Sequence, residues 1–177
     1  MLGSMLRFEL KYQCTQLTFI IAGVLFFALG CFSAVQGGFG GSEVHRNSPY
    51  VITNITALFS LLTIFAATLF CANVVLRDPI YKMESVLYTT SITKKSYFSI
   101  RFLGLFLAVF VLLVCTVFGI YIGTFFVNGA ELGKFDIINY LHPLFVFGLP
   151  NVLFPCSLIF CTAVLTKNVR AIYVAGV

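Results

Sequence analysis

The sequence predicts an all-α polytopic membrane protein, and three observations support this fold class. Hydrophobic residues make up 60% of the 177 residues and charged residues only 10%, whereas a soluble domain carries about 25% charge. Four stretches are long and apolar enough to cross a bilayer as helices, which takes about 20 residues each. The basic residues lie between these stretches, mostly on one side. The composition therefore excludes a soluble globular domain and a disordered or collagen-like chain.

The chain opens with a segment, residues 1–15, that we expect to be cytoplasmic or interfacial. In Met5–Gln13 apolar and polar residues alternate, which by count is a strand pattern. An isolated strand at a membrane surface has no partner for its backbone groups, so we favour an interfacial helix.

Four spans follow this segment, and their boundaries are set by charge. The predicted spans are Gln16–Gln36, Ile52–Leu76, Phe102–Val127 and Pro143–Leu165. None of them contains Asp, Glu, Lys or Arg. Because charges inside a membrane usually mark an ion path or proton relay, this absence argues against a proton-coupled pump or a voltage sensor.

The distribution of Lys and Arg predicts the orientation, since cytoplasmic loops are enriched in these residues. A cytoplasmic N-terminus places the loop 77–101 inside and leaves only Arg46 and Lys134 outside. The nine basic residues then inside are Arg7, Lys11, Arg77, Lys82, Lys94, Lys95, Arg101, Lys167 and Arg170. We therefore interpret the net charge of +5 as a topology signal and not as a nucleic-acid-binding surface.

The last seven residues, Ala171–Val177, form a further apolar run. Seven helical residues cover about a third of a bilayer core. The sequence thus predicts four complete transmembrane helices and the start of a fifth.

The loop 77–101 contains a predicted amphipathic helix of two to three turns. Asp78 followed by Pro79 is a favourable helix start, because Asp can cap free N–H groups and Pro is tolerated at the first helical position. A second start at Thr93 leads through Lys94 and Lys95 into the third span. From the residues alone, the amphipathic helix either lies on the lipid surface or docks its apolar face into a groove on a cytoplasmic partner.

The same loop resembles a known family. Arg77-Asp78 and the run Lys82-Met83-Glu84-Ser85-Val86-Leu87-Tyr88-Thr89-Thr90-Ser91-Ile92-Thr93-Lys94-Lys95-Ser96-Tyr97 are similar to the coupling-helix region of ABC-2 type transporter permeases, with Ser91 where that family usually has Pro. The order of spans and loops also resembles this family. The opening Phe8-Glu9-Leu10-Lys11-Tyr12 is similar to bacterial permeases that continue into a second permease half and an M1-type metallopeptidase domain.

The resemblance implies that residues 1–177 are part of the transmembrane domain of an ABC transporter in the bacterial inner membrane. It implies two partners, a cytoplasmic ATP-binding subunit and a second permease half. The residues at the interface with the ATPase would be Ile80, Lys82, Met83, Glu84, Val86 and Leu87. The chain has no G-x-x-x-x-G-K-[ST] phosphate loop, so ATP is expected on the partner.

The fourth span contains Pro150 and Pro155, each of which removes a helix hydrogen bond, so we predict a kink there. Such kinks either shape an ordinary membrane helix or serve gating or substrate contact. Gly119 and Gly123 form a G-x-x-x-G motif, which predicts close helix packing within the same subunit.

The sequence contains no catalytic constellation and no ligand spacing typical of a metal site, so we expect neither an enzyme nor a cofactor in this chain. A function of another class stays open: a non-transporting membrane scaffold or assembly factor, in which the loop helix only lies on lipid.

Overall fold

The computed structural model describes residues 2–37, 44–80, 94–166 and 168–176, with backbone alone at 2, 4, 76–80 and 94. Within these ranges all regular structure is helical. The helices are α1 (Leu2–Thr15), α2 (Leu17–Gln36), α3 (Pro49–Ile80), α4 (Lys94–Gly123), α5 (Ile138–Pro143), α6 (Leu149–Thr166) and α7 (Val169–Ala175). Two single turns of 3-10 helix, Thr124–Phe126 and Gly129–Glu131, follow α4, and a π-helical turn, Leu144–Gly148, joins α5 to α6.

Four helical stretches are long and apolar enough to cross a membrane. They are Leu17–Gln36, Pro49–Val75, Lys95–Phe126 and Ile138–Thr166. The predicted all-α fold is therefore confirmed, as is the presence, among the described residues, of four helical stretches that could span a membrane. The largest difference from the predicted boundaries is in the third stretch, which begins at Lys95 and not at Phe102, because the helix continues through Arg101.

Both ends of the predicted loop 77–101 are helical, since α3 reaches Ile80 and α4 includes the residues from Lys94 onward. Instead of starting a new helix, Asp78 and Pro79 lie in the last turn of α3, which ends at Ile80. Extending an existing helix by a few residues costs less than nucleating a new one, which explains the difference. Thr93 lies outside the described residues, so the second predicted helix start stays a prediction, and α4 is helical from Lys94 onward.

The chain divides into two compact units. The first unit consists of Met1–Gln16, Ile64–Val109 and Leu153–Val177. The second unit consists of Leu17–Thr63 and Phe110–Val152.

In the second unit, α2 and α4 pack backbone against backbone. A Cβ atom added at Gly30 would overlap the carbonyl oxygen of Thr116, and one added at Gly119 would overlap that of Phe27. At Gly123 it would lie 2.7 Å from Cβ of Ala34. Close approach through small residues is a common way for helices to associate in membranes, and the predicted packing of the G-x-x-x-G motif within the chain is confirmed.

The connections before α3 and after α4 are fastened to each other in the same unit. The Asn47 carboxamide donates to the carbonyl of Gly133 at 2.8 Å and accepts from its N–H at 2.7 Å. Next to it, Arg46 forms an ion pair with Glu131 and donates to the Val35 carbonyl. These bonds stabilise the ends of three helices together.

One face of α3 in the second unit is polar although it is buried. Thr56, Ser60 and Thr63 are at most 1% exposed, at spacings of four and three that place them on one face. The Ser60 hydroxyl donates to the Ala57 carbonyl at 2.6 Å and accepts from the Asn151 carboxamide at 2.9 Å. Because polar groups in a membrane have no water to bind, this bond between α3 and α6 supplies each side chain with a partner inside the protein, whereas the Thr56 hydroxyl has no hydrogen-bond partner among the described residues.

The predicted kink region holds the π-helical turn described above. This turn ends at Gly148, and α6 then continues through both Pro150 and Pro155. Proline has no N–H to donate, so the carbonyl one turn before each of them lacks its usual partner. Bending at Pro150 and Pro155 stays a prediction.

The predicted start of a fifth span corresponds to α7, a helix of seven residues. The Asn168 side chain caps it by accepting from the Arg170 N–H at 3.1 Å. That α7 begins a further span stays a prediction.

We expect Gly30→Ala to destabilise the protein and Gly23→Ala, on the same helix, to be tolerated. The added methyl group overlaps α4 at Gly30, whereas at Gly23 the nearest atom, Leu112 Cδ2, lies 3.9 Å away. Overpacking costs about 1–3 kcal/mol, whereas replacing Gly by Ala in a helix gains up to about 1 kcal/mol. Thermal unfolding of the purified protein in detergent measures both changes, and equal midpoints for the two variants would contradict the α2–α4 contact.

Candidate functional site: a buried polar cluster on α1, α3 and α4

The helix α1 turns a polar face toward the interior of the first unit. Glu9 and Gln13 are four residues apart and therefore share one face, and they are 4% and 2% exposed. Arg7 and Lys11, four residues apart on another face, are exposed. This arrangement reverses that of an ordinary amphipathic helix, whose buried face is apolar. It also explains why the sequence of α1 has no continuous apolar stripe.

The carboxylate of Glu9 is paired with Arg101 on α4. Arg101 Nη1 lies 3.1 Å from Glu9 Oε1, and the two side chains are 8% and 5% exposed. The same nitrogen donates to the carbonyl oxygen of Val74 on α3, also at 3.1 Å. One buried guanidinium thus connects three helices of the first unit.

Two further residues of α4 shape this contact. The Arg101 guanidinium carbon lies 5.3 Å from the ring centre of Tyr97, one turn earlier, within the range of a cation–π interaction. At Gly104 an added Cβ would lie 2.8 Å from Cγ of Glu9. The lack of a side chain at Gly104 therefore lets Glu9 approach α4.

The carboxamide of Gln13 adds unused hydrogen-bonding capacity to this face. Both its Nε2 and its Oε1 are buried and have no hydrogen-bond partner among the described residues. Leaving a buried donor or acceptor unsatisfied costs about 1–3 kcal/mol. We call Glu9, Gln13, Tyr97 and Arg101, with the Val74 carbonyl, the α1–α4 polar cluster.

The α1–α4 polar cluster lies close, along the helices, to the segment 81–93 that joins α3 to α4. Val74 is six residues before the end of α3, and Arg101 is seven residues after the start of α4. At 1.5 Å per residue these distances are about 9 Å and about 11 Å along the helix axes. The cluster therefore connects α1 to α3 and α4 about two helical turns from this segment.

The structure places only part of the predicted coupling interface. The backbone of Ile80 ends α3. Lys82, Met83, Glu84, Val86 and Leu87 lie outside the described residues, so their predicted roles stay predictions.

The sequence pattern does not predict the pairing of Glu9 with Arg101. The charge distribution marks Arg101 only as part of the topology signal, although it stands directly between the apolar residues Ile100 and Phe102. Glu9 is the first of only six acidic residues, and the next one is Glu43. Glu9 is thus a lone carboxylate near one span, and Arg101 is embedded in the apolar start of another. Together they form a signal that could have indicated the pair.

The chemistry available to the cluster is charge pairing and hydrogen bonding. In the ranges that the structure covers, no group of three His, Cys, Asp or Glu side chains could hold a metal ion. No family model, curated protein or solved structure matches this chain.

We expect the single variants Glu9→Leu and Arg101→Leu each to lose about 3–5 kcal/mol of stability, because each leaves an uncompensated buried charge. The double variant should lose much less than the sum, since replacing a buried ion pair by apolar side chains is often neutral. Unfolding of the four proteins in detergent, analysed as a double-mutant cycle, measures the coupling.

A matched control is the pair Arg46–Glu131, whose side chains are 27% and 44% exposed. Glu131→Gln should cost at most about 1 kcal/mol, since water screens exposed pairs. Additive losses at Glu9 and Arg101 would show that the two residues do not interact.

Proposed function

We propose that the chain forms part of the transmembrane domain of an ABC-2 type permease, which moves its substrate using ATP hydrolysed by a separate P-loop subunit. The observation that carries this proposal is the arrangement around segment 81–93. Two long unbroken helices, α3 and α4, flank it, and Arg101 ties them to each other and to α1. The segment carries the residues that resemble a coupling helix.

The lengths of α3 and α4 suit such a role. They have 32 and 30 residues, or about 48 Å and about 45 Å, against a hydrocarbon core of about 30 Å. Each helix is therefore long enough to cross the core and still extend beyond it. A continuous helix is stiff along its axis, so a displacement of segment 81–93 by the ATPase would be passed to both helices.

The α1–α4 polar cluster would make α1 part of the same moving body. A helix of 14 residues is marginal on its own in water, and its position depends on its tertiary contacts. The Glu9–Arg101 pair supplies a contact that resists separation, because pulling it apart would leave two buried charges without a partner. We infer that α1, α3 and α4 respond to the ATPase together.

In this proposal the apolar residues Met83, Val86 and Leu87, with Ile80, dock on the ATP-binding subunit, while Lys82 and Glu84 orient the contact. The N-terminus and segment 81–93 are cytoplasmic, which the excess of Lys and Arg in these segments supports. A second permease half completes the translocation pathway. ATP and its phosphate loop belong to the partner.

The test is Glu84→Arg in the full chain, reconstituted with the P-loop ATPase encoded beside it and with the second permease half. Reversing this charge should uncouple the subunits, so that the ATPase rate is no longer stimulated by the permease. Lys134→Glu is the matched control, since Lys134 is exposed in the connection after α4 and its reversal should leave stimulation unchanged.

Unchanged stimulation in Glu84→Arg would contradict the proposed coupling interface. Failure of the unmodified chain to copurify with the ATPase would contradict the permease itself and favour a non-transporting scaffold.

A further inference from the structure

The exposed face of α1 carries positive charge without a balancing negative charge. Arg7 and Lys11 are exposed, one turn apart on the same face, and neither forms an ion pair with a described residue. The only acidic residue of α1, Glu9, is buried against Arg101. The surface of α1 therefore presents two positive charges.

Aromatic side chains border these charges. Phe8 is 63% exposed and Tyr12 37% exposed, at positions next to Arg7 and Lys11 in the sequence. On a helical wheel they lie on one flank of the basic face. Exposed basic residues beside exposed aromatic residues are typical of helices that lie in the interface between water and lipid.

The contact of α1 with α4 in the first unit brings this face close to the membrane surface. Glu9 pairs with Arg101, which lies six residues after Lys95, where the membrane-spanning stretch of α4 begins. The polar layer on each side of the hydrocarbon core is about 5–8 Å thick, and long Lys and Arg side chains extend toward it. The head groups are therefore within reach of Arg7 and Lys11.

The surface at these residues is concave. A shallow, open depression of about 510 Å³ is lined, among the described residues, by Gly3, Arg7, Phe8 and Lys11. A Cβ atom at Gly3 would meet no atom within 4 Å, so the space one turn before Arg7 is open. The concavity gives a head group room to approach both cations.

We propose that Arg7 and Lys11 bind the phosphate group of an anionic membrane phospholipid, with Phe8 beside its acyl chain. The two cations are spaced by one helical turn, so both side chains can contact the same phosphate group or the phosphate groups of two adjacent lipids. This site needs only that the long apolar helices span the membrane, and it is independent of the proposed permease function. A basic residue near an anionic surface contributes about fivefold in affinity.

The sequence contains no tryptophan, so Phe8→Trp gives the full chain a single fluorescent reporter in the site. The protein is placed in nanodiscs of phosphatidylcholine that contain increasing fractions of brominated phosphatidylglycerol or of brominated phosphatidylcholine. Bromine quenches the tryptophan on contact. We expect half-maximal quenching at a fraction of the anionic lipid at least about fivefold lower than of the zwitterionic lipid.

Adding Arg7→Gln and Lys11→Gln should make the two lipids quench equally, while Lys134→Gln should preserve the difference. Gly3→Glu keeps both cations but places a carboxylate one turn from Arg7, so it should reduce the preference without removing a helix-forming residue. Circular dichroism checks that each variant keeps its helical content.

Equal quenching by the two lipids in the Phe8→Trp protein would overturn the proposal, and so would a preference that survives in the doubly neutral variant. Displacement of the lipid by inorganic phosphate, but not by sodium chloride at the same ionic strength, would also overturn it, because the site would then bind free anions and not the membrane lipid.

Discussion

The buried charge of Arg101 is the interaction on which the first unit of this protein depends. A guanidinium cannot lose its proton in a protein, so its burial requires an anion and further acceptors close by. Glu9 supplies the anion from α1, and Val74 supplies a carbonyl from α3. The position of α1, the approach of α4 at Gly104 and the contact of α3 with α4 are thus all set by one side chain.

The second unit is stabilised in another way. Its contacts between α2 and α4 are made by backbone atoms that meet at glycines, where attraction comes from close packing over many atoms. Short polar contacts add direction: Asn47 with Gly133 between two connections, and Ser60 with Asn151 between two helices. A buried ion pair therefore stabilises the first unit, whereas close packing of helix backbones stabilises the second.

Much of the fold could be predicted because a span depends on the composition of about 20 consecutive residues, and this composition can be read directly from the sequence. The helical state of α1 was also predicted, although its pattern alternates. The extension of α3 through Pro79 was harder, since charge marks the membrane boundary and not the helix end. The Glu9–Arg101 pair joins residues 92 positions apart, so only their opposite charges and apolar surroundings, and no local sequence pattern, could indicate that they interact.

Hydrogen exchange of the full chain in nanodiscs tests most directly whether this pair holds α1 in place. The account predicts that amides of α1 are protected in the unmodified protein, and that Glu9→Gln releases α1 while Leu17–Gln36 stays protected. Free exchange of α1 in the unmodified protein, or unchanged protection in Glu9→Gln, would contradict it.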